Sequence, residues 1–251
     1  MFIRVIKILL LVILFQNAYG QGVTGTFKAG QLKYQRVKKA YQTRYENLKE
    51  EVALAGFNIN KIEVYLRVFK SEKEVEVWMR DEAKAKFKLF KTYAICSSSG
   101  ELGPKRTQGD GQVPEGFYNI EGFNPVSSYH LSMKVGYPNK SDNVKAEGKP
   151  GGDIMIHGNC VTIGCVPIQN DPIEELYILC VESTDRKNGL RSDIFPCKFT
   201  TENIQMLKKD FPKPKNEFWE SIKKGYDYFE KNKVVPKYTV DKEGNYIISN
   251  S

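Results

Sequence analysis

Between Ile62 and Ile95 the chain alternates. Ile62, Val64, Leu66 and Val68 interleave with Glu63, Tyr65, Arg67 and Phe69, and Val75, Val77 and Met79 interleave with Glu74, Glu76 and Trp78. A period of two places every second side chain on one face of an extended backbone, so both runs predict strands. The short polar stretch 70–73 joins them as a β-hairpin. A third run, Phe87, Leu89, Lys91, Tyr93 and Ile95, ends at Cys96. A domain that commits this much chain to strands so early is β-rich, and an all-helical fold is excluded.

Helical periodicity flanks this region. Tyr34, Val37, Tyr41, Tyr45, Leu48 and Val52 recur at spacings of three and four, with Gly56 as a stop. Downstream, Asp171 and Pro172 open a helix with Ile173, Leu176, Tyr177, Cys180 and Val181 on its buried stripe. Asn216 is the expected cap of a last helix carrying Phe218, Trp219, Ile222, Tyr226 and Phe229, and 236–249 reads as a small hairpin turning at Glu243 and Gly244. Between strands, residues 97–116 contain Gly100, Gly103, Gly109, Gly111 and Gly116 with Pro104 and Pro114, and predict a long loop. Loops of that length in a compact domain are more often functional than decorative. The run 117–120 and the block 127–139 predict further strands, and the apolar 153–156 delivers His157 at a strand end.

The N-terminus sets the compartment. Arg4 and Lys7 precede an apolar stretch from Ile8 to Phe15, and Ala18 and Gly20 supply small side chains before a cut ahead of Gln21. That layout predicts a cleaved secretory signal over 1–20 and a location in the periplasm or cell envelope, with no membrane span once the signal is removed. Cleavage lowers the formal charge from +8 to +6. No run of five basic residues exists, so nucleic acid is not an expected partner; a mildly basic surface suits an anionic envelope and serves solubility equally well.

Five cysteines remain: Cys96, Cys160, Cys165, Cys180 and Cys197. In an oxidising compartment an odd number leaves at least one thiol unpaired. The chain has two histidines, His130 and His157. His157, Cys160 and Cys165 fall within nine residues. A thiol has a pKa of about 8.5 and needs a base or a cation to react as thiolate near neutrality, and histidine is the usual base. Gly164 would let the backbone approach a substrate, amides around the turn would serve an oxyanion, and Thr162 would orient the imidazole or donate a hydrogen bond. The same three residues could instead ligate zinc, but they lack an evident fourth ligand; no metal or other cofactor is expected.

The stretch Ile154–Val166 resembles the signature of the L,D-transpeptidase catalytic domain, the YkuD-type family: His157-Gly158 followed by Thr162-Ile163-Gly164-Cys165. The glycine-rich approach through Gly103-Pro104-Lys105 and Gly109-Asp110, the turn Val113-Pro114-Glu115-Gly116 before Phe117-Tyr118, and the block 127–139 are similar to its YafK/DpaA-like branch. The resemblance implies a β-rich α+β fold, a sandwich or barrel, with an N-terminal helix and C-terminal helices. It divides the chain into a helical segment 21–60, a catalytic domain 61–200 and a tail 201–251 with a terminal hairpin. It implies Cys165 as nucleophile, His157 as base, and the Gly164 and Cys165 amides as oxyanion donors. The implied substrate is the peptidoglycan stem peptide, cleaved between a diamino acid and D-alanine, with the acyl group passed to an amine. Water as acceptor would make a carboxypeptidase or endopeptidase, and wall-attached lipoprotein is a further implied partner. The family's arginine two residues after the nucleophile is replaced here by Pro167. Gly158, His130, Lys105 and Arg106 are the expected substrate contacts, the last two as carboxylate ligands. A domain that binds the wall without turnover is the reading from another class.

Overall fold

The computed structural model describes residues 22–81, 85–183 and 189–249; the expected signal peptide, 1–20, lies outside them. Two helices open the described chain, α1 (Gly22–Gln31) and α2 (Gln35–Leu54). Strands β1 (Glu63–Phe69), β2 (Glu74–Arg80), β3 (Lys88–Ala94), β4 (Gly116–Asn124) and β5 (Ser132–Val135) follow, then the one-and-a-half-turn helix α3 (Lys140–Lys145). The short strands β6 (Met155–His157) and β7 (Val166–Pro167) precede α4 (Asn170–Glu182) and β8 (Leu190–Phe195). Helices α5 (Thr201–Asp210) and α6 (Lys213–Asn232) and the hairpin β9 (Lys237–Val240) and β10 (Tyr246–Ser249) end the chain.

Strands β1 to β8 form one curled sheet in the order β3-β2-β1-β8-β4-β5-β6-β7. β1 and β8 run parallel, as do β6 and β7. The edges β3 and β7 meet beyond the ends of the regular ladders: the Cys96 amide donates to the Pro167 carbonyl at 3.0 Å, and Cys96 is disulfide-bonded to Cys160. The barrel-like closure is therefore made by one backbone bond and one covalent bridge. An edge strand otherwise exposes unpaired backbone groups, and this join covers part of both edges.

The expected helix through Val52 and the hairpin β1–β2 are present, and α4 carries Cys180 in the core as its spacing predicts. Alternation on β1 has a different cause from the one a solvated sheet would give. Val64, Leu66 and Val68 join the core under α2 and α4, whereas Phe69 packs with Phe195, Trp219 and Ile222 on the opposite face and Tyr65 with Phe229 of α6. Both faces are covered, so the residues between the aliphatic ones are aromatic or paired charges.

One local expectation is corrected. Asn216 does not cap α6: the helix begins at Lys213 after Pro212, because Pro214 suits the first turn, where its missing N–H costs nothing. Asn216 instead donates from its side chain to the Phe211 and Pro212 carbonyls. The polar stretch 139–152 contains α3, closed by a reciprocal capping box between Asn139 and Asp142.

Candidate active site

The register of β6 and β7 brings the two chemistry-bearing residues together. Ile156 pairs with Val166 and His157 with Pro167, so Cys165 falls beside Met155. Alternation then puts Cys165 and His157 on the same side of the pair, one step apart. The Met155 amide donates to Cys165 Sγ at 3.4 Å, and the thiol donates to the Asp153 carbonyl at 3.6 Å. Burial raises the thiol pKa, the Met155 amide opposes that, and nearby Asp153 adds to it. The resting sulfur is a protonated thiol.

His157 is 1% exposed. Its Nδ1 lies 2.5 Å from the Gly158 carbonyl, which can only accept. That fixes the neutral tautomer with the proton on Nδ1 and a lone pair on Nε2. Burial lowers the imidazole pKa, partly offset by this bond. Tyr129 lies over the ring at 4.7 Å between centroids and is itself half exposed. The ring is therefore neutral, oriented and roofed by an aromatic side chain.

Cys165 lines a cleft of about 280 Å³. Val68, Lys70, Ser71 and Lys73 of the first hairpin form one wall, and Ser97–Leu102 form the other. The second wall is tied from behind by Glu115, fully buried. Glu115 accepts from the Gly103 amide at 2.7 Å, from Trp219 Nε1 at 2.6 Å and from Lys70 at 2.9 Å.

The turn 162–165 is closed on itself. Thr162 Oγ1 accepts from the Gly164 amide at 3.1 Å and the Cys165 amide at 2.8 Å, and donates to the Cys165 carbonyl at 2.8 Å. Of the two roles expected of Thr162, it fills one, donating a hydrogen bond to the Cys165 carbonyl, and its hydroxyl is engaged by the turn and not by the imidazole. The Gly164 and Cys165 amides, expected to serve an oxyanion, are both engaged by that hydroxyl. Gly164 itself, at φ +134°, backs onto the Gln112 carbonyl, 3.1 Å from where a Cβ would sit. Its close approach is to the protein's own loop.

With Thr162 closing this turn after His157-Gly158, and the glycine-rich wall facing it, the sequence comparison is decisive. The family model of the L,D-transpeptidase catalytic domain, YkuD, matches residues 63–187. YafK of Escherichia coli K12 is 35% identical over 189 residues, covering 74% of this chain and 74% of that one. The chain belongs to the YkuD family. Among solved structures, this YkuD-family chain is similar to the helical cell shape determining protein Pgp2 of Campylobacter jejuni, with 19% identity over 72% of this chain and 74% of that one and a TM-score of 0.45. It is also similar to Bd1075 of Bdellovibrio bacteriovorus, with 19% identity over 75% and 77% of the two chains and a TM-score of 0.39.

The remaining expected contacts lie elsewhere. Lys105 is buried on Asp110 at 2.5 Å and the Thr107 carbonyl at 2.8 Å, and Arg106 faces Asp142 at 3.4 Å and the Phe218 ring. Lys105 spends its charge inside the glycine-rich loop and Arg106 on α3, so neither is a free carboxylate ligand. His130 bonds Glu174 at 2.8 Å, and Arg36 of α2 donates to the Ser127 and His130 carbonyls. This network holds the turn that carries Tyr129; it does not face the cleft. Gly158 packs where a Cβ would meet Asn170 and the Tyr129 carbonyl within 3 Å, which is a structural demand. Cys160 is in the disulfide with Cys96, so neither a bridge to Cys165 nor a zinc set with His157 is open to it. As the odd count requires, not every cysteine is bridged: Cys165, Cys180 and Cys197 stand outside the disulfide, and of these three only Cys165 is not buried. Exposure singles out that thiol, not number.

Sequence reasoning missed Tyr129, Glu115 and Lys70. The adjacency of Tyr129 to the singled-out His130 was a signal; Glu115, inside a glycine-rich loop, gave none.

Proposed function

We propose that the protein is an exported, cysteine-dependent L,D-transpeptidase of the cell envelope, with Cys165 as nucleophile and His157 as its general base. The observation that carries this reading is the fixed tautomer of His157. With Nδ1–H committed to Gly158, the Nε2 lone pair is the basic site, and it lies on the side of β6–β7 that carries Cys165. Nε2 takes the thiol proton as sulfur attacks the carbonyl of the diamino acid in a stem peptide. The tetrahedral intermediate collapses to a thioester, and D-alanine leaves with the proton returned by His157. An amine of a second stem, or of a wall-attached lipoprotein, then attacks the thioester and restores the thiol. Carriage of the oxyanion by the Gly164 and Cys165 amides requires the Thr162 hydroxyl to release them, so substrate entry opens that turn. Membership of the YkuD family supports the reaction class, and the signal-like 1–20 supports export.

Replacement of the family's arginine by Pro167 favours a second outcome at the same cysteine, release of the acyl group to water as a carboxypeptidase or endopeptidase. Incubation of the mature protein with purified sacculi, followed by muropeptide mass analysis, separates the two. New cross-linked dimers report transpeptidation, and loss of dimers or release of attached peptide reports hydrolysis. A Cys165→Ala protein that still changes muropeptide masses sinks the assignment, as does wall binding with no mass change by the unaltered protein.

A further inference from the structure

The cleft beside Cys165 holds two cationic side chains, and only one is committed. Lys70 Nζ is spent on Glu115 at 2.9 Å and on the carbonyls of Gly103 and Val113 at 2.8 and 3.0 Å. Lys73 also lines the cleft, is exposed, and has no carboxylate partner among the described residues. Its position is fixed by the backbone: it sits at φ +56° in the β1–β2 turn, and its carbonyl accepts from the Ile95 amide at 2.7 Å. Hydroxyl groups share the cleft with it. Ser71, Ser97, Ser98 and Ser99 line the same cleft, and Ser99 Oγ is enclosed without a hydrogen-bond partner. Glu101, on the opposite rim, is the lining carboxylate. The cations nearest in sequence to the glycine-rich motif, Lys105 and Arg106, are held by Asp110 and Asp142, and the arginine of the family pattern is Pro167.

We propose that Lys73, with the hydroxyls of Ser71 and Ser97–Ser99, is the carboxylate-binding subsite of the acyl donor. An ammonium with neighbouring hydroxyl donors is suited to a carboxylate, and charge-assisted bonds in a partly closed cleft outweigh neutral ones. Single-point contact by lysine, unlike a bidentate arginine fork, holds the group without fixing its plane. The proposal rests on Cys165 acting on a stem peptide, since it deepens that reading. The bound carboxylate is either that of the terminal D-alanine or the side-chain carboxylate of the diamino acid.

The test compares the unaltered protein with Lys73→Met, Lys73→Arg and Lys73→Glu on three peptides: a stem tetrapeptide, its C-terminal amide, and a version with lysine as the diamino acid. Lys73→Met is expected to raise KM for the tetrapeptide about five- to tenfold with kcat within twofold, Lys73→Glu more, and Lys73→Arg to restore most of it. Loss of the Lys73 effect with the amide identifies the terminal carboxylate, and its loss with the lysine peptide identifies the side-chain carboxylate. An unchanged KM, a change confined to kcat, or an equal Lys73→Met effect on all three peptides overturns the subsite. Iodoacetamide labelling of Cys165 at equal rates confirms that the variants are folded. Equilibrium binding of the tetrapeptide to Cys165→Ala, with and without Lys73→Met, separates the two readings. Lys73-dependent binding without turnover by the unaltered protein keeps the subsite and rejects the chemistry, whereas Lys73-independent binding or none rejects the subsite.

Discussion

Beneath α6, Arg67 is 1% exposed and meets Glu230 at 2.6 Å and Glu76 at 3.6 Å. Its guanidinium also lies over the rings of Tyr226 at 4.6 Å and Phe69 at 4.9 Å. Close by, Asp193 accepts from Tyr65 at 2.7 Å and from Arg191 at 2.5 Å. Around the cleft that Cys165 lines the treatment differs: a thiol raised by burial, an imidazole lowered by burial and, in the β1–β2 turn, a lysine with no carboxylate partner among the described residues. One region pairs its buried charges with one another, although Arg67 Nε and Arg191 Nη2 find no acceptor, and the other holds titratable groups with no ion-pair partner among the described residues. Stability and reactivity are therefore separated on a single sheet, and they should respond to different substitutions.

The sharpest break in that contrast comes from His157→Ala. Loss of a general base typically removes about 10²–10⁴-fold in rate, so acylation of Cys165 by a stem peptide or a carbapenem-like probe should fall by that order per folded molecule, beyond whatever stability is lost with a buried ring. The mirror experiment is Arg67→Ala, which removes the buried cation facing Glu230 and Glu76 beneath α6, while Glu76 keeps Lys198 and Trp78. Because the carboxylates retain partners, the cost falls below the roughly 3–5 kcal/mol of a stranded buried charge, seen as a lower denaturant midpoint, with acylation per folded molecule unchanged. A large rate defect in Arg67→Ala would show the two regions to be coupled.

The disulfide belongs to both regions. Cys96→Ser with Cys160→Ser removes a link across 64 residues, worth about 2–4 kcal/mol. It also frees both the cleft wall that starts at Ser97 and the turn that ends at Cys165. Unfolding and acylation should both suffer. Thr162→Val leaves the Gly164 and Cys165 amides without their acceptor, at a cost of about 1–3 kcal/mol, and Cys165 alkylation should change several-fold as the turn loosens. The smallest effect is on pH. Because burial depresses His157, the acid limb of acylation should have its midpoint below 6.5, whereas a midpoint at or above that value would mean a solvated ring. The sign for stability follows: with the folded pKa below the unfolded one, neutral His157 stabilises the fold above pH 6.5, and this is lost as pH falls through the folded value.

What the sequence disclosed divides along physical lines. Period two exposed β1 to β3, because each is long enough to repeat, and period 3.6 exposed α2 and α4. The signature around His157 and Cys165 was legible as residues in order. Strands of three and two residues, β6 and β7, carry no periodicity, so the register that joins His157 to Cys165 was not legible. Nor was the fate of Lys105 and Arg106, whose partners Asp110 and Asp142 become neighbours only when the loop folds. The engagement of the Gly164 and Cys165 amides by Thr162 is a matter of hydrogen-bond direction, which residue identity does not encode. The odd number of cysteines could not choose among three thiols that the fold sorts by depth.

The join between Cys96 and the β7 edge has a temporal consequence. Cys165 is made at residue 165, but the edge that completes its surroundings is brought round only when β3, at one rim of the sheet, reaches β7 at the other. A chain part-way through folding therefore carries the thiol without the reaction chamber. On the function proposed for Cys165, maturation and competence then coincide.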